Sequence, residues 1–313
     1  MTEVSQADKI TWVIGDIHGM YDPLRALISQ LDNEYLDKFI FVGDLMDHGP
    51  SAKAVLDLIL GLGDKAITLL GNHEYLLLET LFNEEFQERW GNRIWEENGA
   101  EATVRAFGCN DIDELRAKLE PRYVNFLHNL GCFHVERFGD AEHEVKFLIT
   151  HGGVTPKASL AEQMAVNNYV EHNQWLKAQK IWVEDSFLWI RGGFFAADPN
   201  LWDDYIVIHG HTPTHLLKYS ISPFDDEKDL YGETAIYLRP HPEDEDRIVS
   251  IDIDTGAAFG KRLTALGLQP SALKDGWFEI DVLQLNVQQG YYRTSPIHYE
   301  RIRVKAVPIA ATA

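Results

Sequence analysis

The sequence predicts an α/β protein, and two features of the chain lead to that prediction. Short apolar runs typical of buried strands alternate with stretches whose apolar residues recur at helical spacing. Strand–helix–strand units of this length usually form a parallel sheet. The predicted strands are Ile10–Ile14, Phe39–Val42, Ala66–Leu70, Lys146–Thr150 and Tyr205–Ile208.

Two helices are predicted between the first three strands. Asp22 is the predicted N-cap of the first helix, with Pro23 at its first position, and Ser51 is the predicted N-cap of the second. Their apolar faces consist of Leu24, Leu27, Ile28 and Leu31 in the first helix, and Val55, Leu58, Ile59 and Leu62 in the second.

The composition is that of a globular protein with a strongly acidic surface. The 313 residues are 45% hydrophobic and 25% charged, and 49 Asp and Glu against 28 Lys and Arg give a net charge of −21. This field repels phosphate backbones and anionic lipids at long range, so we expect no nucleic-acid or membrane partner. A phosphate-binding site in this chain would need its own local cations.

The sequence predicts a cytoplasmic enzyme. The first ten residues lack a basic start followed by an apolar run, and no apolar stretch approaches the roughly 18–20 residues that a membrane helix needs. Two cysteines are too few for a disulfide framework or a cysteine zinc site.

The chain is predicted to form one main domain with two inserts and an extension. Residues 1–265 form the catalytic domain, with a helical insert at 74–145 and an acidic hairpin or flap at 214–250. A β-rich extension, 266–313, is expected to pack on the same domain. Apolar residues of the helical insert, Trp95 among them, are expected to serve packing only.

Each predicted strand is followed by a loop rich in metal-binding or acid–base side chains. In chain order the loops read GDIHG (15–19), GDLMDHG (43–49), GNHE (71–74), HGG (151–153) and HGH (209–211). Ligands of open α/β sheets bind beyond the carboxyl ends of the strands. We therefore expect the five loops to converge at one edge of the sheet.

The side chains of these loops suggest a site for two metal ions. Asp16 and His18 face the same side if the strand end is extended, and the carboxylate of Asp44 can bridge two cations. Two cations about 3.5–4 Å apart can bind a phosphate and generate hydroxide near neutral pH. The mixed oxygen and nitrogen donors suit Mn, Fe, Zn or Co. The candidate ligands are Asp16, His18, Asp44, Asn72, His151 and His211.

The five motifs resemble the signatures of the PPP-type phosphoprotein phosphatases, within the calcineurin-like metallophosphoesterase superfamily. Those signatures are GDxHG, GDxxDRG, GNHE, HGG or HAG, and GH. The segments LWIRGGF (188–194), GHTP (210–213) and DTGAAFG (254–260) resemble the bacterial and phage branch. The resemblance implies a β-sandwich flanked by helices, with a dinuclear metal site at the carboxyl ends of the strands. Mn is the first candidate for both ions, with Fe, Zn, Co or Ni as alternatives.

The resemblance also implies roles for individual residues. His73 becomes the general acid, Asp47 holds its imidazole, and Arg191 binds the substrate phosphate, as Asn72 does in addition to its role as a metal ligand. The family pattern places the last ligand directly after glycine, which favours His211 over its neighbour His209.

His48 departs from the family pattern, because it stands where GDxxDRG has a phosphate-binding arginine. A histidine is shorter and is charged only part of the time. It could simply occupy the turn before Gly49, but we expect it to lie near the substrate, since the turn adjoins Asp44 and Asp47.

Three functions remain open from the sequence. The leading prediction is a serine/threonine protein phosphatase, with phosphotyrosine as a further substrate class. A dinucleoside-polyphosphate hydrolase of the diadenosine tetraphosphate type would use the same fold and ligands. A non-catalytic metal-binding or phosphate-binding module is the third, although it would have no need of His73 as an acid. The expected partner is a phosphorylated protein or a small phosphoester.

Overall fold

The computed structural model describes residues 5, 8–217, 236–287 and 298–308. Its strands are β1 Ile10–Ile14, β2 Leu36–Phe41, β3 Ala66–Thr68, β4 Phe133–Gly139, β5 His143–Thr150, β6 Tyr205–His209, β7 Tyr237–His241, β8 Asp244–Asp252, β9 Arg262–Leu268, β10 Leu273–Lys274, β11 Trp277–Asn286, β12 His298–Lys305 and β13 Val307–Pro308. Its α-helices are α1 Tyr21–Leu31, α2 Ala52–Leu62, α3 Asn72–Phe82, α4 Glu84–Trp90, α5 Arg93–Glu97, α6 Ala100–Ala106, α7 Ile112–Lys118, α8 Pro121–His128, α9 Leu160–Met164, α10 Tyr169–Gln179 and α11 Gly192–Ala196. Across these ranges, the helices are all too short or too polar to cross a membrane.

The strands form two sheets. The first has the order β10-β11-β9-β1-β2-β3, with β12 also paired to β11. The second has the order β13-β5-β6-β8-β7, with β4 also paired to β5. Parallel pairing is confined to β1, β2 and β3 in one sheet and to β5, β6 and β8 in the other. The remaining strand pairs are antiparallel. The parallel strands lie at the centre of the second sheet, whereas in the first sheet they occupy one end, with β3 as the edge strand.

The two sheets pack face to face, and helices cover the outer faces. Phe278 of the first sheet contacts Phe138 and Phe147 of the second, with ring centroids 4.9 and 5.3 Å apart. On the other side of the first sheet, α1 and α2 bury Leu27 and Val55 against it. The predicted α/β fold, a β-sandwich flanked by helices, is confirmed.

Most differences from the predicted elements lie at their ends. Helix α1 begins at Tyr21, after Met20, so the prediction that Asp22 caps it was wrong. Pro23 still lies in the first turn, where its missing N–H costs no hydrogen bond. Ser51 does precede α2, but its side chain accepts no capping hydrogen bond.

The two regions predicted as inserts contain strands as well as helices. The segment 74–145 is helical only as far as His128, because β4 follows and pairs with β5. Within 214–250, β7 and β8 form an antiparallel hairpin that is built into the second sheet, with Tyr237 and His241 buried. The acidic run at 224–229 lies outside the described residues.

The region after residue 265 contributes strands to the first sheet. Strand β11 pairs with β9, placing Val282 opposite Leu266, and β12 pairs with the other edge of β11. Val282, Leu266 and Phe278 are all buried in the core between the sheets.

Candidate active site

The loops that follow β1, β2, β3, β5 and β6 meet at one place. Two groups of ligand atoms form there, and the atoms within each group lie within 4.8 Å of one another. One group contains Asp16, His18 and Asp44, and the other contains Asp44, His151 and His211. Asp44 therefore belongs to both groups, as a bridging carboxylate would.

The site loops turn sharply instead of continuing the strands. Strand β1 ends at Ile14, and the backbone at His18 is left-handed, so Asp16 and His18 do not alternate along an extended strand as predicted. They come together because the loop turns back on itself. Positive φ angles occur at His18 (48°), Asp44 (51°), Asp47 (66°), His48 (57°) and His211 (69°). Residues other than glycine rarely adopt this backbone conformation, and backbone strain of this kind clusters at functional sites.

Three histidines are oriented by backbone carbonyls. His18 and His151 donate from Nδ1, and His211 donates from Nε2. The opposite nitrogen of each ring therefore carries a lone pair directed into the site, which is the form that binds metals. The accepting oxygens belong to Met46 at 2.9 Å, Val42 at 3.0 Å and Trp189 at 3.1 Å, respectively.

The donor set fits a divalent cation. Asn72 Oδ1 lies 2.8 Å from His151 Nε2 and 2.7 Å from His211 Nδ1. Since both nitrogens present lone pairs, three acceptors converge with no proton among them. Asp16 Oδ1 is also buried and has no hydrogen-bond partner among the described residues. A cation at the centre of these atoms would satisfy all of them.

Burial favours the neutral forms of both the carboxylates and the histidines of this site. Desolvation raises the pKa of Asp16 and of Asp44 well above the ordinary value, and their neighbouring carboxylates add to the rise. Desolvation also lowers the pKa of His151 and His211, which keeps both rings neutral. The site therefore concentrates oxygen and nitrogen donors in a place where negative charge is costly without a metal.

His73 and Asp47 form a hydrogen-bonded pair beside the two groups. His73 Nδ1 donates to Asp47 Oδ2 at 2.8 Å, which leaves Nε2 facing the site. Trp95 Nε1 donates to the same carboxylate at 2.8 Å, and Thr103 Oγ1 donates to Oδ1 at 2.5 Å. Burial raises the pKa of Asp47 to about 7, and the Thr103 and Trp95 hydrogen bonds oppose that rise. Burial lowers the pKa of His73 to about 3.

Sequence reasoning missed Trp95 and Thr103. Trp95 was expected to serve packing only, yet it is fully buried with its indole N–H directed at Asp47. No local pattern in the sequence marks either residue, because they reach the site from helices α5 and α6.

Glu74 ties two of the loops together. Its carboxylate accepts hydrogen bonds from the backbone N–H groups of Asp44 at 2.9 Å, Leu45 at 2.8 Å and Gly71 at 3.0 Å. Burial raises the pKa of Glu74 to about 7, while these three donors favour its charged form. Glu74 thus holds the loop after β2 against the start of α3.

His48 and Arg191 lie at the mouth of the site, and both are exposed. The His48 ring is 5.0 Å from the ring of His18 and 5.2 Å from that of His73, measured between centroids. Arg191 donates to the backbone oxygen of His211 at 3.3 Å. The structure therefore brings both residues to the place where a substrate would enter.

Three other buried polar residues, His209, Asp252 and Asp254, serve packing and the turn after β8. His209 is buried against Phe194 and Phe195, with ring centroids 4.9 and 5.6 Å apart. Asp252 Oδ1 accepts from Asp254 N, and Asp254 Oδ1 accepts from Gly256 N, so both carboxylates shape the turn after β8.

An aromatic pair, His215 and Phe259, lies where the chain after the His211 loop meets the turn after β8. The ring of His215 stands edge-on to that of Phe259 at 5.0 Å, and Phe259 is 54% exposed. His215 follows the His211 loop, and Thr214 N donates to Asp254 O, which joins that loop to the turn after β8. The pair was not identified from the sequence.

Comparisons with known proteins give one family model and several similar proteins. A family model described as calcineurin-like phosphoesterase matches residues 11–244. A protein of Legionella pneumophila named "Bis(5'-nucleosyl)-tetraphosphatase, symmetrical" is 28% identical, covering 82% of this chain and 93% of the relative. A crystal structure of a putative diadenosine tetraphosphatase is 15% identical with a TM-score of 0.45, covering 92% and 97%. A Saccharomyces cerevisiae protein serine/threonine phosphatase structure is 14% identical with a TM-score of 0.44, covering 96% and 81%.

Proposed function

Because this chain belongs to the calcineurin-like phosphoesterase family, and is therefore a metal-dependent phosphoester hydrolase, we propose that its substrates are dinucleoside polyphosphates. The observation that carries the proposal is the similarity to a tetraphosphatase along most of both chains. The similarity to tetraphosphatases supports the dinucleoside-polyphosphate alternative better than the leading sequence prediction, a protein phosphatase. Family membership also supports an enzyme over a non-catalytic module.

The residues that would hold two divalent ions in this proposal are Asp16, His18, Asp44, Asn72, His151 and His211, and Asp44 belongs to both ligand groups. Their mixed oxygen and nitrogen donors suit Mn, our first candidate, as well as Fe, Zn, Co or Ni. Such ions, when bound, would withdraw charge from phosphate oxygens and lower the pKa of a water molecule enough to supply hydroxide at neutral pH.

The protein's own side chains bind the phosphates and move the proton. Arg191 supplies a cation at the mouth, and the ring of His48 supplies a further hydrogen-bonding group there, for binding a polyphosphate chain in this acidic protein. Water adds to one phosphorus and releases a proton to solvent as the bond from that phosphorus to the leaving oxygen breaks, and His73 Nε2, when protonated, delivers its proton to that oxygen. Asp47 keeps Nδ1 protonated and stabilises the imidazolium.

The aromatic pair His215 and Phe259 supports a nucleoside-containing substrate. An exposed ring beside a phosphate site can stack on a nucleobase, and such contacts contribute roughly 1–3 kcal/mol per base. Phe259 and His215 offer such a surface next to the turn that carries Asp254. A small phosphate ester has no base to place there.

The test is turnover by metal-stripped enzyme resupplied with Mn. The substrates are diadenosine tetraphosphate, p-nitrophenyl phosphate, a phosphoserine peptide and a phosphotyrosine peptide. We expect the dinucleotide to have the highest kcat/KM, and His73→Asn to lower kcat on it by roughly 10²-fold or more. A higher kcat/KM for a phosphopeptide would instead favour the protein phosphatase prediction.

Phe259→Ala is the matched variant for the nucleoside contact. It should raise KM for diadenosine tetraphosphate about tenfold and leave KM for p-nitrophenyl phosphate unchanged, because only the first substrate carries a base. An equal effect on both substrates would contradict base stacking at Phe259.

A further inference from the structure

We propose that His18, His48 and His73 form a zinc site at the mouth of the active site, completed by Asp44, and that zinc bound there inhibits the enzyme. The ligand nitrogens of the three histidines lie within 4.8 Å of one another. This cluster overlaps the groups that would hold the catalytic ions, because His18 belongs to it and to one of those groups, and Asp44 belongs to both of those groups.

The spacing of the rings is that of a three-imidazole zinc site. With Zn–N bonds of about 2.0–2.1 Å, a ring centroid lies about 3.2 Å from the metal, so two centroids at the tetrahedral angle are about 5.2 Å apart. The observed separations are 4.8 Å for His18 and His73, 5.0 Å for His18 and His48, and 5.2 Å for His48 and His73. Small ring rotations suffice to place all three on one ion.

The hydrogen bonds leave the required nitrogens free. His18 donates from Nδ1 to Met46 O, and His73 donates from Nδ1 to Asp47, so both Nε2 atoms carry lone pairs. The Nδ1 edge of His48 lies over Gly99, where an added Cβ would come within 2.9 Å of it. Gly99 therefore makes room for the His48 ring in this position, and Nε2 is the nitrogen on the other side of Cε1.

Asp44 provides the fourth ligand. Its Oδ2 lies 3.5 Å from His18 Nε2 and 3.8 Å from His73 Nε2. Two ligand atoms in a tetrahedral zinc site are about 3.4 Å apart, so the carboxylate oxygen is close to the position required. Three imidazoles and one carboxylate make a closed zinc site, whereas catalytic zinc keeps an open position for water or substrate.

Zinc in this position would stop turnover for two reasons. It would bind His73 Nε2, the atom that our proposed mechanism uses to protonate the leaving oxygen. It would also take His18 and Asp44 away from the first catalytic ion. An arginine, as in the related signature, would repel zinc with its fixed charge, so the histidine at position 48 creates the site. The inhibition rests on the proposed function, but zinc binding does not.

The binding test uses crystals of the full chain grown with Mn and then soaked in zinc chloride. Anomalous scattering is recorded above and below the zinc absorption edge, which separates zinc from manganese. We expect a zinc peak at coordination distance from His48 and His73. Zinc confined to positions without a bond to His48 would overturn the proposal, whatever substrate the enzyme hydrolyses.

The inhibition test compares zinc titrations of the Mn-containing enzyme, with p-nitrophenyl phosphate as substrate, among four proteins. His48→Arg and His48→Gln should each raise the zinc inhibition constant roughly 10–100-fold relative to the unchanged chain, since perturbing groups that only support a metal ligand already costs that much. His298→Gln removes a part-exposed histidine on β12 and should leave the constant unchanged. Equal inhibition of all four proteins would contradict the proposal, and thermal unfolding of each variant checks its folding.

Discussion

At the scale of single residues, the site depends on hydrogen bonds to side chains whose backbone is strained. Asp47 has a left-handed backbone and a fully buried carboxylate, and three donors converge on it. A buried carboxylate without such donors would take up a proton, which would weaken its hydrogen bond with His73 Nδ1. Trp95 and Thr103 are therefore positioning residues for His73.

Trp95→Phe should lower both the stability of the chain and kcat, because it removes the indole N–H that donates to Asp47. The substitution keeps most of the ring volume but removes one donor to a buried charged group, which costs about 1.5–3 kcal/mol of stability. We expect kcat to fall with KM unchanged, measured by steady-state kinetics, because the loss acts on His73 and not on phosphate binding. Thr103→Val should behave similarly. Unfolding free energies and kcat equal to those of the unchanged chain would refute this role.

His48→Arg should lower KM for phosphoester substrates. The arginine adds a permanent charge and two parallel donors for phosphate oxygens, so we expect roughly a fivefold decrease, or about 1 kcal/mol. Steady-state kinetics at fixed Mn concentration measures it. An unchanged KM would mean that His48 does not approach the substrate.

At the scale of elements, glycines allow the strand-end loops to approach each other. A Cβ at Gly210 would lie 1.8 Å from Asp16 Oδ1, and a Cβ at Gly71 would lie 2.3 Å from Asp44 Oδ1. The loops after β6 and β3 can therefore contact the carboxylates of the loops after β1 and β2 only where no side chain intervenes. Glu74 then joins the second and third loops through three backbone N–H groups.

Gly210→Ala should displace Asp16 and weaken Mn binding by tenfold or more, measured by equilibrium titration of the metal-stripped chain. The added methyl group has no space in the loop. The control is Gly61→Ala in α2, where nothing lies within 4 Å of the added Cβ. There the helix should gain roughly 0.5–1 kcal/mol of stability with no change in Mn affinity. Equal Mn affinities for both variants would count against the close approach at Gly210.

At the scale of the whole molecule, loops from both sheets together form one site. The first sheet supplies the loops with Asp16, Asp44 and Asn72, and the second supplies His151 and His211. Desolvation raises the pKa values of Asp16 and Asp44, and neighbouring carboxylates add to the rise, so a bound cation would favour their charged forms. A metal ion bound between the sheets would therefore stabilise the folded chain.

Mn should raise the Tm of the metal-stripped chain more at pH 7.5 than at pH 5.5. Asp16 and Asp44 have raised pKa values, so protons compete with the metal at low pH and the apparent affinity rises as pH increases. Stabilisation is about 2.7 kcal/mol when free Mn is 100 times Kd. Thermal unfolding with Mn or with chelator at each pH measures the shift. An equal shift at both pH values would contradict metal binding through protonatable carboxylates.

The sequence alone was enough to predict the α/β fold and the five loops that meet at the site. Apolar runs mark the strands, and residues just beyond parallel strands of one sheet gather at one edge, so a local pattern predicts a long-range neighbourhood. The candidate residues of those loops could be named for the same reason. Helix ends were less predictable, as at Asp22, because several residues can begin a helix.

Only the tertiary structure decided which atoms meet. Trp95 and Thr103 reach Asp47 from 48 and 56 residues away, through helices whose packing the local pattern does not encode. The left-handed backbone at His18 and His211 aims their rings, and His48 approaches His18 and His73 because Gly99 leaves space for it. Such contacts depend on how distant segments pack together, and the spacing of residues along the chain does not predict that packing.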